Sequence, residues 1–312
     1  NPSSTHQAGQ KARHATDRAR AHITKIIGCA PREIIFTGGG TESNNLFIFG
    51  AAEALHKYGQ HIITTKIEHD SVLKPLQKLE KEGFEITYLD VGEDGIVDVE
   101  DIKKALRPDT IFVTTIYANN EIGTIQPIAE IGKIVSKYRE SRPVPYFHTD
   151  ACQAAAYLDL EVSALGVDAM TINSGKIYGP KGAGMLFIKS GNDIASQILG
   201  GGQEYRRRAG TENVPSIVGF AEALKLVQEN KEQETKRLLK LRDKLIDGIL
   251  KNIPETRLNG DREKRLPNNV NISFRGLESG TILLRLDMVG VAVSAGSACN
   301  SVLVEPPHVL SA

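Results

Sequence analysis

Lys176 stands in TINSGKIYGPKG (171–182), preceded by asparagine, serine and glycine and followed by tyrosine, glycine and proline. A lysine framed this way at the end of an apolar strand is placed to form an imine with a carbonyl compound. Upstream, FHTDACQ (147–153) closes another apolar run with Asp150. A carboxylate there needs a cation, hydrogen-bond donors or a role as helix N-cap to stay ionised. FTGGGTESNN (36–45) reads as a strand, a glycine turn and a helix opening at Thr41. Such a turn aims backbone N–H groups and the positive end of the helix dipole at an anion. Asp150 and Lys176 in this order, with the glycine turn as phosphate cradle, suit pyridoxal 5′-phosphate. The carboxylate keeps the ring nitrogen protonated, the lysine holds the aldehyde and the turn takes the phosphate.

Three further stretches put polar residues where strands end. TKIEHDS (65–71) carries His69, in a position more often held by a hydrogen-bonding histidine than by a catalyst. YANNEIGTIQP (117–127) carries Asn119 and Asn120, which either face a polar ligand or form an ordinary Asx turn. SAGSACNS (294–301) sets Cys299 among small residues that offer an unhindered sulfur rather than apolar packing. With Cys29 and Cys152 it makes three cysteines without CxxC spacing, which indicates neither a disulfide framework nor a structural zinc site. Cys29 and Cys152 read as small packed residues.

The elements that must position these groups follow from the hydrophobic pattern. EIIFT (33–37), HIITTKI (61–67), EITYLD (85–90), TIFVTTIY (110–117), VPYFHT (144–149) and AMTIN (169–173) alternate with helix-period segments, among them 41–58, 97–106 and 127–139. That alternation predicts an α/β domain with a largely parallel sheet, whose ligand sits beyond the carboxyl ends of the strands. From about residue 214 the pattern changes to the charged helical run KEQETKRLLKLRDKLIDGILKNI, the strand NVNISF and the apolar helix TILLRLD, which suggests a second, smaller domain. Thirty-eight basic residues balance 38 acidic ones, so no global field favours nucleic acid or an anionic membrane. No apolar run is long enough to span a bilayer as a helix. A small-molecule ligand and a reducing, cytoplasmic setting are the expectations.

With these motifs in place the sequence resembles the cysteine desulfurases, pyridoxal-phosphate enzymes that take sulfur from cysteine for iron–sulfur cluster assembly and other thio-cofactors. NPSSTH (1–6), GGGTESNN (38–45), EHDSVL (68–73), NNEIGTIQP (119–127), HTDACQ (148–153), KIYGPKG (176–182), GGGQEYRRRAGTENV (200–214) and SAGSACNS match family motifs in family order. The cysteine stretch resembles the long-loop "SGSAC" subgroup. The resemblance implies a fold-type I homodimer with a large cofactor domain, 1–229, and a smaller C-terminal α+β domain, 230–312. It also implies a segment before Asn1, and one past Ala312 ending in an arginine that grips the substrate carboxylate.

Carried over by resemblance, Lys176 holds the cofactor, Asp150 partners its ring nitrogen, and His69 stacks on the ring and is available for proton transfer. Gln153 reaches the phenolic oxygen, Asn120 faces the ring, and Gly40 and Thr41 hold the phosphate. Thr211 reaches the phosphate of the neighbouring subunit. Cys299 becomes a persulfide, handed to a sulfur acceptor or an iron–sulfur scaffold protein, where it could act as a transient cluster ligand; no resident metal is expected. Many relatives have histidine before the lysine. Gly175 stands here instead, which leaves Asn173 or Ser174 to contact the phosphate. Selenocysteine lyase, and a catalytically weak scaffold of the same fold, are the alternative readings.

Overall fold

The computed structural model describes residues 1–140, 142–296 and 307–312; Cys299 lies outside the described residues. The chain opens with α1 (Gln7–Ile27), followed by β1 (Ile34–Thr37), α2 (Gly40–Leu55), β2 (His61–Thr65), α3 (Asp70–Lys81), β3 (Glu85–Leu89), α4 (Val99–Ala105), β4 (Thr110–Ile116) and α5 (Ile128–Arg139). Then come β5 (Tyr146–Asp150), the short α6 (Val162–Leu165), β6 (Ala169–Asn173) and β7 (Gly184–Ile188). Two long helices follow, α7 (Val214–Glu229) and α8 (Lys231–Asn252). The remainder is β8 (Thr256–Leu258), β9 (Ile272–Phe274), α9 (Ser279–Met288) and α10 (His308–Ser311).

Strands β1 to β7 form one sheet in the order β1-β7-β6-β5-β4-β2-β3. The pairs β2–β3, β2–β4, β4–β5 and β5–β6 are parallel, and β7 runs antiparallel to both β1 and β6. The sheet is therefore mixed but mostly parallel, as the βα alternation predicts. Within this sheet, β7 is the strand that the sequence pattern left out. Because β1 and β6 each pair antiparallel with β7, they run parallel to one another, with Thr37 and Asn173 both opposite Gly184. Ile116, Asp150 and Thr171 lie abreast on β4, β5 and β6. The carboxyl ends of β1, β2, β4, β5 and β6 thus gather along one edge.

Alternating strand residues feed two apolar layers. Ile34, Phe36, Val113, Met170 and Phe187 pack with Ile23 and Ile27 of α1, Ile131 of α5 and Phe220 of α7. Ile35, Phe112, Ala169, Leu186 and Ile188 face Phe47 and Ala51 of α2 and Leu76 of α3 on the other side. Burial on both faces explains why these strands read as continuous apolar runs. Buried His148 of β5 stacks on Phe47, with centroids 4.4 Å apart and planes at 14°, and meets Thr114 Oγ1 at 2.8 Å and Thr171 Oγ1 at 3.1 Å. Beyond α7, Asn230 separates α8 from the first layer of helices, and β8 and β9 pair antiparallel in a sheet of their own. Among the described residues no helix is long and apolar enough to cross a membrane.

Candidate functional site

At the gathered strand ends lies a cavity of about 170 Å³, lined by Gly40, Thr41, His69, Asn120, Asp150, Gln153, Asn173 and Lys176 among others. Gly40, Thr41, Asn173 and Lys176 also line a neighbouring cleft of about 740 Å³ with Glu42, Lys181 and Arg208. The sheet thus brings together residues spread over more than a hundred positions of sequence.

The cleft end is built for an anion. Gly39 caps α2 at φ 151°, ψ −178°, a conformation essentially confined to glycine, and no side chain caps the helix. The first N–H groups of a 16-residue helix are left available to a ligand. Packing makes the turn tight, since a Cβ on Gly40 would sit 2.7 Å from Cys152 Sγ. Glu42, which would repel an anion here, is held by Arg208 at 2.7 Å.

Asp150 ends β5 at the other side of the cavity. It is 4% exposed; Oδ1 accepts from the Cys152 N–H at 2.9 Å and Oδ2 from Asn44 Nδ2 at 2.7 Å. Asn44 also donates to Ser71 Oγ at 2.8 Å. His69 caps α3, its Nδ1 accepting from the Ser71 N–H at 3.0 Å and lying 2.7 Å from Ser71 Oγ. Lys176 is exposed at the junction of cavity and cleft and enters no ion pair among the described residues.

The two asparagines after β4 divide the alternatives between them. Asn119 is fully buried; its Oδ1 accepts from the N–H groups of Glu121 and Ile122, and its Nδ2 donates to Ile67 O, so it builds the turn. Asn120 lines the cavity, with its Oδ1 buried and without a partner among the described residues. Asn173 lines both cavities and accepts from the Gly175 N–H. Ser174 is fully buried, its Oγ against Gly179, and lines neither. Thr211 is exposed and lines neither.

Cys152, read as a packed residue, also reaches the cavity; burial first and then Asp150 push its thiol well above the usual range. Glu68 lies behind the site, fully buried. Its Oε1 accepts from Thr65 Oγ1 and the Ile116 N–H while Oε2 has no partner among the described residues, and desolvation raises its carboxyl to about 8. Asn44, Ser71 and Glu68 lay within the quoted motifs without standing out. Their signal was only a polar residue on an inward face.

An exposed amine, a hydrogen-bonded carboxylate, an uncapped helix start and an unpartnered amide oxygen around one cavity fit pyridoxal phosphate. The comparisons with known proteins agree. The family model "Aminotransferase class-V" matches residues 1–310. The cysteine desulfurase IscS of Dictyoglomus turgidum is 52% identical over 312 residues, covering 100% of this chain and 78% of that protein. That of Clostridium botulinum strain Hall is 49% identical, covering 99% and 77%. Among solved structures, a NifS-like protein superposes with a TM-score of 0.92 at 35% identity, covering 100% of this chain and 81% of that one. A structure described as SspA in complex with cysteine gives 0.84 at 34%, covering 100% and 85%. By sequence over its whole length and by fold, then, the chain belongs to the class-V aminotransferase family and, within it, to the cysteine desulfurases of the IscS and NifS kind.

Proposed function

We propose that this enzyme, with pyridoxal 5′-phosphate as cofactor, removes sulfur from L-cysteine to give L-alanine and a persulfide on Cys299. The observation that carries the reading is the joining of Lys176, Asp150, His69, Asn120 and the Gly40–Thr41 turn at one cavity that Ser294 and Gly296 also line. Cys299 follows Gly296 by three residues in the sequence.

The bound cofactor supplies an electron sink for charge developing on the substrate's α-carbon. Lys176 would hold its aldehyde and, when free, its amine would take the α-proton. Asp150 would keep a proton on the ring nitrogen, Gly40 and Thr41 would hold the phosphate with backbone N–H groups, and Asn120 and Gln153 would face the ring. The Cys299 thiolate attacks the substrate sulfur. An S–S bond forms as the C–S bond breaks, the electron pair of that bond stays on the β-carbon, and protonation there together with return of a proton to the α-carbon by Lys176 completes alanine.

The acting form is a cytoplasmic homodimer in which Thr211, away from its own cavity, serves the partner's phosphate, and the persulfide passes to an acceptor or iron–sulfur scaffold protein. The experiment incubates wild type and Cys299→Ser with L-cysteine and no reductant, with Cys29→Ala and Cys152→Ala as controls. Wild type and both controls are expected to form alanine and gain one sulfur at position 299 by mass spectrometry. Cys299→Ser should bind cysteine and the cofactor yet form no persulfide. Persulfide appearing on Cys29 or Cys152 in Cys299→Ser would overturn the assignment, and preferential turnover of selenocysteine would reassign the substrate.

A further inference from the structure

We infer that Ser71 and Asn44 form a one-directional hydrogen-bond chain from Asp150 to His69 that fixes the uncharged His69 ring with its proton on Nε2. His69 then meets the cavity as a hydrogen-bond donor, and the α-proton is left to Lys176. This rests on the proposed cofactor site and assigns residues outside it.

The direction of the chain follows from its Asp150 end. A carboxylate offers only acceptors, so Asn44 must present its Nδ2 to Asp150 Oδ2, at 2.7 Å. Turned the other way, the amide oxygen would face the carboxylate across that distance. The second Nδ2 hydrogen goes to Ser71 Oγ at 2.8 Å, leaving Asn44 Oδ1 buried without a partner among the described residues. Having accepted from Asn44, the Ser71 hydroxyl has its own hydrogen to give, and His69 Nδ1 lies 2.7 Å away. The Ser71 backbone N–H points at the same nitrogen from 3.0 Å, and an N–H can only donate. Two donors on Nδ1 leave no place for a proton there, so the uncharged ring carries it on Nε2. Asn44 is fully buried and Ser71 nearly so, and a polar chain shielded from water holds its geometry more firmly than an exposed one. Nε2 sits on the ring edge opposite Ser71, in a residue that lines the cavity.

The tautomer can be read directly by NMR of the cofactor-loaded protein carrying ¹⁵N-histidine, with the His69 signals identified by their loss in His69→Gln. Wild type is expected to show Nδ1 as the unprotonated nitrogen and Nε2 as the protonated one. Ser71→Ala removes one of the two donors and should raise the Nδ1–H share several-fold; Ser71→Thr, which keeps the hydroxyl, should restore the wild-type spectrum. Asn44→Ala should move the same signals without touching the ring, and combining it with Ser71→Ala should add nothing more, the mark of a shared path. A wild-type ring protonated on Nδ1 would overturn the inference whether or not any variant folds. So would a folded Ser71→Ala with an unchanged spectrum. Because no turnover is needed, a protein inactive on cysteine but with the Nε2–H ring would count against the proposed function alone.

Discussion

Asn119 and Asn120 are neighbours in sequence and opposites in the fold. Asn119 closes a turn with three hydrogen bonds in a fully buried setting, so Asn119→Ala strands two N–H groups and a carbonyl. We expect it to destabilise the protein by at least about 1–3 kcal/mol, measured by urea unfolding. Asn120 gives its oxygen no partner among the described residues, so Asn120→Ala should leave that midpoint unchanged or slightly raised while lowering alanine formation. Equal losses of stability in the two variants would contradict this division. Sequence alone could name both residues but not separate them, because an Asx turn and a ligand contact ask for the same side chain at a strand end. Asp150 stood out for a different reason: a carboxylate closing an apolar strand is costly without a partner, so its presence implies one; exposed Lys176 stood out by its glycine- and proline-framed turn. Asn44 and Ser71 gave no such signal, since on a helix a polar residue facing inward reads the same as one facing water.

At the scale of elements, the site depends on how β1 turns into α2. Gly39 holds a conformation that costs other residues about 1–3 kcal/mol, and Gly184 of β7 abuts it so closely that a Cβ on Gly184 would lie 2.7 Å from Gly39 Cα. Gly39→Ala should therefore rotate the first N–H groups of α2 away from the anion, and we expect the cofactor to dissociate more readily while the global fold survives. Equilibrium dialysis with absorbance of the bound cofactor would measure this; unchanged retention would remove the turn from phosphate binding. The strand starts at β2, β3, β4 and β6 agree with the hydrophobic pattern because buried strands leave continuous β-branched runs. β7 escaped since GMLFI follows a glycine-rich turn inside a motif already read for its lysine, and five apolar residues carry no sign of direction. β8, at three residues, is too short to leave a pattern.

At the scale of the whole molecule, two buried groups tilt stability with pH in opposite senses. His148 is held neutral by burial, its ring lowered to about 4. The unfolded chain therefore binds the extra proton, and this contribution to stability is lost as pH falls from about 6.5 toward 4. Glu68 is raised to about 8, mainly by desolvation. The folded chain binds the extra proton there, so stability is lost as pH rises from the ordinary carboxyl range through 8. Between roughly pH 6.5 and 8 only the Glu68 effect remains of the two. The cofactor-free protein is expected to lose stability across that interval, and Glu68→Gln to flatten the decline in thermal unfolding; an equally steep variant would place the titration elsewhere. The sulfur chemistry has a counterpart in the other two thiols. Burial raises Cys29 to about 12 and also pushes the Cys152 thiol well up, and an electrophile reacts with thiolate rather than thiol. Both thiols are thereby expected to react slowly with alkylating dyes at neutral pH, so labelling of the unmodified sequence should fall mainly on position 299, and a reporter introduced through sulfur would speak for that position without any cysteine having to be removed first.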